Sequence, residues 1–195
     1  MNYDGLMVVA HQDDDALFGG VFQKSTPWMH WGVVCCTTDG NDERDEEMKR
    51  WQASLGVRSE DVHFLGMYVT NEDWMALERG IDQCTLDQTE LAYRLKSLGV
   101  KGKVCLTHNP LGERSVLPKG HPHHKCVNRA VKAVDIYECL FVFGWEMESV
   151  HLAMRVKEYV EDARLIYRSQ ERPIQNIHNL LKCCKIGVYT HVYGR

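Results

Sequence analysis

The sequence lacks several features that mark whole classes of protein. It has no block of basic residues and a net charge of -4, which argues against a nucleic-acid binder held by phosphate contacts. Its longest apolar run, near residues 139–144, is far shorter than the roughly 20 residues of a membrane-spanning helix. No basic region precedes the apolar run at residues 6–10, and polar residues and two glycines follow it too soon for a signal peptide, so we expect a cytoplasmic protein.

No two of the eight cysteines are spaced as CxxC, the arrangement typical of redox and zinc-binding motifs. Several of them lie within apolar, strand-like runs, where a cysteine serves as a small hydrophobic residue. In a cytoplasmic protein we therefore expect reduced thiols rather than a disulfide framework.

What the sequence does contain is an alternation of apolar runs and helical patterns. Strands are predicted at residues 6–10, 30–38, 62–65, 103–107, 139–143 and 186–193. Helices are predicted at residues 15–23, 42–54, 87–98, 121–134 and 158–169. Strands that are apolar throughout and alternate with helices indicate an α/β fold, with a mostly parallel sheet covered by helices on both faces. No repeat, linker or low-complexity tract interrupts the pattern, so we expect a single domain over residues 1–195.

The active site of such a fold lies at the carboxyl ends of the strands. The first predicted strand is followed by the sequence HQDDD at residues 11–15. Carboxylates this close repel and raise one another's pKa, and a bound cation would relieve that cost. The alternative is that the aspartates cap the helix that follows.

A second polar cluster follows the fourth predicted strand. His108 comes directly after it, and His121, His123 and His124 stand at the start of the next helix. Residues three apart, such as His121 and His124, project from one helix face. A His-Asp-His set from two strand ends would leave an open position for water, as in a catalytic zinc site. A single histidine is more often a core or surface residue.

The two clusters together resemble the motifs of the PIG-L/LmbE-like de-N-acetylase family. That family has AHPDDE after its first strand and HPDH further along, and the corresponding residues here are AHQDDD (10–15) and HPHH (121–124). Weaker matches follow in the family's order: TDG (38–40), FLG (64–66), THNP (107–110) and YRSQ (167–170). The resemblance covers residues 6–170.

The resemblance implies a Rossmann-like fold and one zinc ion per chain, held by His11, Asp14 and His124. Iron or cobalt can also occupy such a ligand set. It implies Asp13 as the general base that activates water, and His121 as the group that stabilises the oxyanion or protonates the leaving amine. The implied reaction removes acetyl from a small N-acetylated molecule, usually an N-acetylglucosamine conjugate.

The resemblance and the strand ends also suggest residues that contact substrate. Arg44 lies where family members place a substrate-binding arginine, and His108 and Asn109 follow the fourth predicted strand. The alternatives are a solvated charge at Arg44 and a plain turn at residues 108 and 109. An edge strand near the C-terminus could pair between chains, so a homo-oligomer is a further expectation.

Three positions depart from the family motifs. Gln12 replaces a proline and should alter the rigidity of its segment rather than remove a ligand. Asp15 replaces a glutamate and is one methylene shorter, so its contacts must shift. His123 replaces an aspartate, which removes a negative charge near His121 and should lower the pKa of His121.

Other functions stay open at this point. A magnesium-dependent phosphohydrolase would also use an aspartate cluster after a first strand, although imidazole ligands favour zinc. A metal-binding protein without turnover would keep the fold, although we would then expect the loss of Asp13 or His121. The acyl group or the acceptor could also differ from the family's usual substrate.

Overall fold

The computed structural model describes residues 1–70, 84–112, 120–144 and 162–170, and the backbone of residues 187–189. Its centre is one six-stranded sheet in the order β3-β2-β1-β4-β5-β6. The strands are β1 (Asn2–Val9), β2 (Trp31–Thr38), β3 (Val62–Tyr68), β4 (Lys101–Thr107), β5 (Tyr137–Gly144) and β6 (Gly187–Tyr189). All neighbouring pairs from β1 to β5 are parallel, and β6 runs antiparallel to β5. The predicted mostly parallel sheet is confirmed.

In the described residues between β1 and β5, four α-helices connect these strands. They are α1 (Gly20–Ser25), α2 (Asp42–Ser54), α3 (Gln88–Ser97) and α4 (Pro122–Ala133). Side chains cap two of them: Asn41 accepts a hydrogen bond from the backbone at the start of α2, and Asp87 accepts two at the start of α3. Among the described residues, none of the helices combines the length and apolarity that crossing a bilayer requires.

The core has two layers, one on each face of the sheet. Successive residues of a strand point to opposite faces, so Met7 of β1 packs in the layer that contains Trp51 of α2. Leu6 and Val8 pack in the other layer, which contains Leu91 of α3 and residues of α4. All three β1 side chains have no exposed surface. Burial on both faces explains why the strands are apolar throughout, and it confirms the prediction of helices on both sides.

The predicted elements correspond closely to the observed ones, with three main differences. The strand predicted at residues 6–10 begins at Asn2 and ends at Val9. The predicted helix at residues 15–23 is divided into a π-helical turn, Asp15–Gly19, and α1. The predicted strand at residues 62–65 continues to Tyr68. Residues 162–166 of the last predicted helix are helical, and β6 falls within the last predicted strand. Tyr167 lies outside this helix, and Arg168–Gln170 form a 3-10 helix, so the end of the predicted helix is wrong. Residues 158–161 and the remaining residues of the predicted strand lie outside the described part of the chain.

Three of the four described strand cysteines are apolar core residues, as predicted, whereas Cys139 of β5 is exposed. Cys35, Cys36 and Cys105 have no exposed surface, and the six described cysteines are free thiols. Cys183 and Cys184 lie outside the described residues.

A buried carboxyl group holds three segments of the chain together behind the first motif. Asp15 accepts hydrogen bonds from the Gln52 side chain at 2.6 Å and from the Tyr167 hydroxyl at 2.7 Å. Burial raises the pKa of Asp15 to about 8. Asp15 therefore joins the turn after β1 to α2 and to the segment at residues 162–170. These are the contacts that the aspartate makes at a position where the family motif has the longer glutamate.

We expect Tyr167→Phe to destabilise the protein by about 1–3 kcal/mol, since it removes a donor from a buried carboxyl group. Tyr167 is fully buried, so water does not readily replace the lost hydroxyl. Urea unfolding followed by circular dichroism measures the effect. The matched control is Tyr93→Phe at a side chain that is 67% exposed, which should change stability by less than about 0.5 kcal/mol. Equal effects of the two substitutions would contradict the role assigned to Tyr167.

Candidate metal centre

The strand order reverses between β1 and β4, and the crevice at the carboxyl ends of these two strands is the usual ligand site of an open α/β sheet. The AHQDDD motif begins at the end of β1, and His108 directly follows β4. The helix α4 begins at the same edge, with His121 as its N-cap residue. The topology thus brings together the two polar clusters that lie about a hundred residues apart in the sequence.

The three predicted ligands, His11, Asp14 and His124, converge at this edge, and we call them the triad. They are buried, and one donor atom from each lies within 4.8 Å of the others. Asp14 stands between the histidines, with Oδ2 at 3.1 Å from His11 Nδ1 and Oδ1 at 3.3 Å from His124 Nε2. Two nitrogen donors of a tetrahedral zinc ion, at about 2.0–2.1 Å each, stand about 3.3 Å apart. Two imidazoles and a carboxylate at these separations fit a zinc ion.

The charges of the triad suit metal binding. Burial alone would raise the pKa of Asp14, but His124, His108 and His11 outweigh it and hold that pKa well below its usual value. Burial lowers the pKa of His11, although Asp14 opposes the shift. A carboxylate and neutral imidazoles are the protonation states that a metal ion requires of these ligands.

His108 supports the triad from within the protein. Its ring stacks on His124 with centroids 3.7 Å apart, and its Nε2 accepts a hydrogen bond from the Ala10 backbone at 2.9 Å. The side chain of Asn128 donates to the His108 carbonyl at 2.7 Å. His108 has no exposed surface, so its predicted contact with substrate stays a prediction. The observed contacts of His108 orient the ring of His124.

Two glycines place the start of α4. Gly112 and Gly120 have φ angles of +65° and +71°, which glycine adopts without steric cost. A Cβ atom at Gly112 would lie 2.6 Å from the carbonyl oxygen of His121, and one at Gly120 would lie 1.9 Å from that of Leu111. The His121 backbone donates to the Gly112 carbonyl at 2.6 Å. Side chains at these two positions would therefore displace the residues that carry the second motif.

Asp13 lies beside the triad and contacts Arg44. Arg44 donates to Asp13 at 3.4 Å and to Asp39 at 2.8 Å, and its side chain is 6% exposed. Burial and the neighbouring Asp14 raise the pKa of Asp13, while Arg44 and His11 oppose that shift. The predicted contact of Arg44 with substrate stays a prediction, and the structure adds an ion pair with the proposed base.

His121 lies against the triad on the side of α4. Its ring is parallel to that of His124, with centroids 4.2 Å apart and an interplanar angle of 8°. Burial and the neighbouring rings of His124, His11 and His123 lower the pKa of His121 well below its ordinary value. This direction agrees with the effect expected from an imidazole at position 123.

Gln12 and Asn109 have local structural contacts. The Gln12 side chain donates to Asp45 of α2 at 2.8 Å and to the Thr37 carbonyl at 3.4 Å. These hydrogen bonds hold in place the segment in which the family motif has a proline. They agree with the expectation that Gln12 affects the rigidity of the segment and is not a metal ligand. The Asn109 side chain accepts from the Leu111 backbone at 2.8 Å and forms a turn, and its predicted contact with substrate stays a prediction.

Sequence reasoning did not assign a role to Gln52 or Asp45. Gln52 is fully buried on α2, next to Trp51 and on the face that carries Met48. A polar residue on the apolar face of a helix was the available signal, because a buried amide needs a partner. Its partners, Asp15 and Gln23, lie too far away in the sequence to be identified from spacing.

Solved structures of other proteins share this fold. A conserved protein of Thermus thermophilus superposes with a TM-score of 0.61 at 19% identity, over 93% of this chain and 87% of that one. The N,N'-diacetylchitobiose deacetylase of Pyrococcus horikoshii has a TM-score of 0.58 at 12% identity, over 93% and 78% of the two chains. The 4-carboxy-2-hydroxymuconate hydratase of Pseudomonas putida has a TM-score of 0.57 at 12% identity, over 90% and 83%. At these identities the likeness establishes the fold alone.

Sequence comparison gives the family. No curated protein matches the chain significantly. The family model described as "PIG-L: GlcNAc-PI de-N-acetylase" matches residues 6–134 and so includes both histidine-containing motifs. This match confirms the resemblance of the two motifs. The chain therefore belongs to the PIG-L family, which is described as GlcNAc-PI de-N-acetylase.

Proposed function

We propose that this protein is a metal-dependent N-deacetylase. It hydrolyses the amide of an N-acetylated amino sugar of the N-acetylglucosamine type, or of a related small molecule, to acetate and a free amine. Membership of the PIG-L family supports a de-N-acetylase. The observation that carries the proposal is the buried triad of His11, Asp14 and His124, with Asp13 and His121 beside it.

The proposed metal ion is zinc, one per triad, because two imidazoles and a carboxylate at these separations suit it. Iron or cobalt fits the same donors. The ion would supply Lewis acidity, which lowers the pKa of water and polarises a carbonyl group. The chain's own part is to hold Asp14 as a carboxylate and His11 as a neutral ring, which the buried contacts of both residues support.

Asp13 is the proposed general base. Its raised pKa brings the carboxyl group closer to the working pH, where a proton is both accepted and released efficiently. The ion pair with Arg44 fixes the direction in which the carboxylate points. We propose that Asp13 takes a proton from the attacking water and returns it to the leaving amine.

His121 is the proposed partner of the developing oxyanion. Its lowered pKa favours the neutral ring, so we assign it the role of a hydrogen-bond donor rather than of a resident cation. The parallel contact with His124 holds the ring in place. Removal of that donor would cost transition-state stabilisation without a change in the triad.

The fold does not decide the reaction, since a hydratase shares it. The direct test is to incubate the zinc-loaded protein with N,N'-diacetylchitobiose and N-acetylglucosamine conjugates, and to measure acetate and primary amine. We expect the two products in equal amounts. Hydrolysis of phosphate esters without release of acetate would instead support the magnesium-dependent alternative. No turnover of either class would leave a metal-binding protein.

Asp13→Asn should keep the metal ion and lose turnover by about 10²–10⁴-fold, the usual contribution of a general base. The amide fills the same space but accepts no proton at neutral pH. Acetate release and metal content are measured on the same preparation. Asp42→Asn, at an exposed position on α2, is the matched control and should have wild-type turnover. Turnover of Asp13→Asn near that of the wild type would contradict the assignment of the base.

His124→Ala should lose one equivalent of metal and the turnover together. It removes an imidazole donor from the triad. Asp14 also loses one of the histidines that offset its buried negative charge. Elemental mass spectrometry after dialysis measures the metal per chain. Unchanged metal content in this variant would show that the triad is not the metal centre.

A further inference from the structure

The proposed function leaves one unusual feature of the site unused, the imidazole of His123. It lies in the first turn of α4 and is 1% exposed. Its Nδ1 atom lies 2.9 Å from Nε2 of His11. The ring of His121 lies close to both, with its centroid 4.7 Å from that of His11 and 5.1 Å from that of His123. Three imidazoles therefore converge beside the triad, and we call them the histidine trio.

The two ring nitrogens of His11 face different groups. Nδ1 faces the triad, at 3.1 Å from Asp14 Oδ2, whereas Nε2 faces His123. The donor atoms of the trio lie within 4.8 Å of one another, the same limit that the triad satisfies. The 2.9 Å between Nε2 of His11 and Nδ1 of His123 is close to the roughly 3.3 Å that separates two nitrogen donors of a tetrahedral zinc ion.

We propose that His11, His121 and His123 form a second metal-binding site, which shares His11 with the triad. Its ligands are imidazoles only, a set that suits zinc and other first-row transition metals such as copper, and that disfavours magnesium and calcium. The trio holds no carboxylate to neutralise the ion, so the second ion binds more weakly than the first.

Occupation of both sites requires the loss of one proton. If the triad holds its ion through Nδ1, the ring proton of His11 would lie on Nε2, and Nδ1 of His123, 2.9 Å away, would accept a hydrogen bond from it. A second ion would take the place of that proton, which would pass to water, and His11 would then supply one nitrogen to each site. In the alternative, His123 serves only as the hydrogen-bond partner that orients a ligating histidine.

The second site also has a consequence for turnover, and this part of the inference rests on the proposed function. His121 is the proposed hydrogen-bond donor to the oxyanion, and ligation to a second ion withdraws it from that role. Zinc should therefore activate the protein at the first equivalent and inhibit it at the second.

Equilibrium dialysis of the intact protein against zinc, followed by elemental mass spectrometry, tests the proposal. The key variant is His123→Asn, whose amide oxygen accepts the hydrogen bond from His11 but is a poor zinc ligand. His30→Asn, at a half-exposed histidine far from the site, is the matched control. Cysteine thiols are the same in all three proteins, so their background binding cancels.

We expect the wild type and His30→Asn to take up one equivalent more than His123→Asn. Equal uptake by the wild type and His123→Asn would overturn the second site and leave His123 as a hydrogen-bond partner. His121→Asn removes another donor of the trio and should lose the same equivalent, which keeps the test valid should His123→Asn fail to fold. Thermal unfolding by circular dichroism identifies a misfolded variant.

His124→Ala distinguishes this inference from the proposed function. It removes a ligand of the triad and keeps all three ligands of the trio, so it should retain one equivalent that is lost in the double variant with His123→Asn. If the triad alone binds metal, His124→Ala takes up none, and the second site is overturned while the proposed function stands. If His124→Ala binds as much as the wild type, the triad itself is contradicted.

Discussion

The carboxylate of Asp14, buried among imidazoles, is the interaction on which the proposed site depends. One of its oxygens lies near His11 and His108, and the other lies near His124. A carboxylate at this depth is costly unless cations or hydrogen bonds surround it. The His11 backbone supplies one hydrogen bond at 2.7 Å, and a bound metal ion would supply the missing positive charge. Without a bound metal ion, burial of this carboxylate is unfavourable. With one, the arrangement is reasonable as a metal centre.

The rest of the fold serves to keep that carboxylate and its partners in register. The switch in strand order sets β1 beside β4, which brings His11 and Asp14 next to His108. Asp15 joins the turn after β1 to α2 and to Tyr167, and two glycines position the N-cap residue of α4. The site thus rests on elements that are packed on both faces of the sheet, which is how a ligand set is held to within fractions of an ångström.

Much of the fold could be predicted, because fully apolar strands and amphipathic helices are local patterns. The bounds of α2 were predicted to the residue, since Asn41 caps it and the charged pattern ends at Ser54. The π-helical turn at Asp15–Gly19 could not be predicted, because its register follows from the buried contacts of Asp15 with Gln52 and Tyr167. These partners lie 37 and 152 residues away, beyond any local pattern.

The candidate site divides in the same way. The residues of the site could be identified from the motifs, and the structure brings them together. Their mutual orientation could not be predicted from the sequence. Nothing in the sequence shows that His108 stacks on His124, or that the two nitrogens of His11 face different groups. Those facts depend on ring orientation, which tertiary packing sets.

The central claim is that the triad holds a metal ion at the edge where β1 and β4 meet. Anomalous X-ray diffraction at the zinc absorption edge, on crystals of the zinc-loaded protein, tests it most directly. The account predicts a peak bounded by His11, Asp14 and His124, with or without a second peak beside His123. The absence of a peak among the three triad residues, in crystals that contain zinc elsewhere, would contradict it.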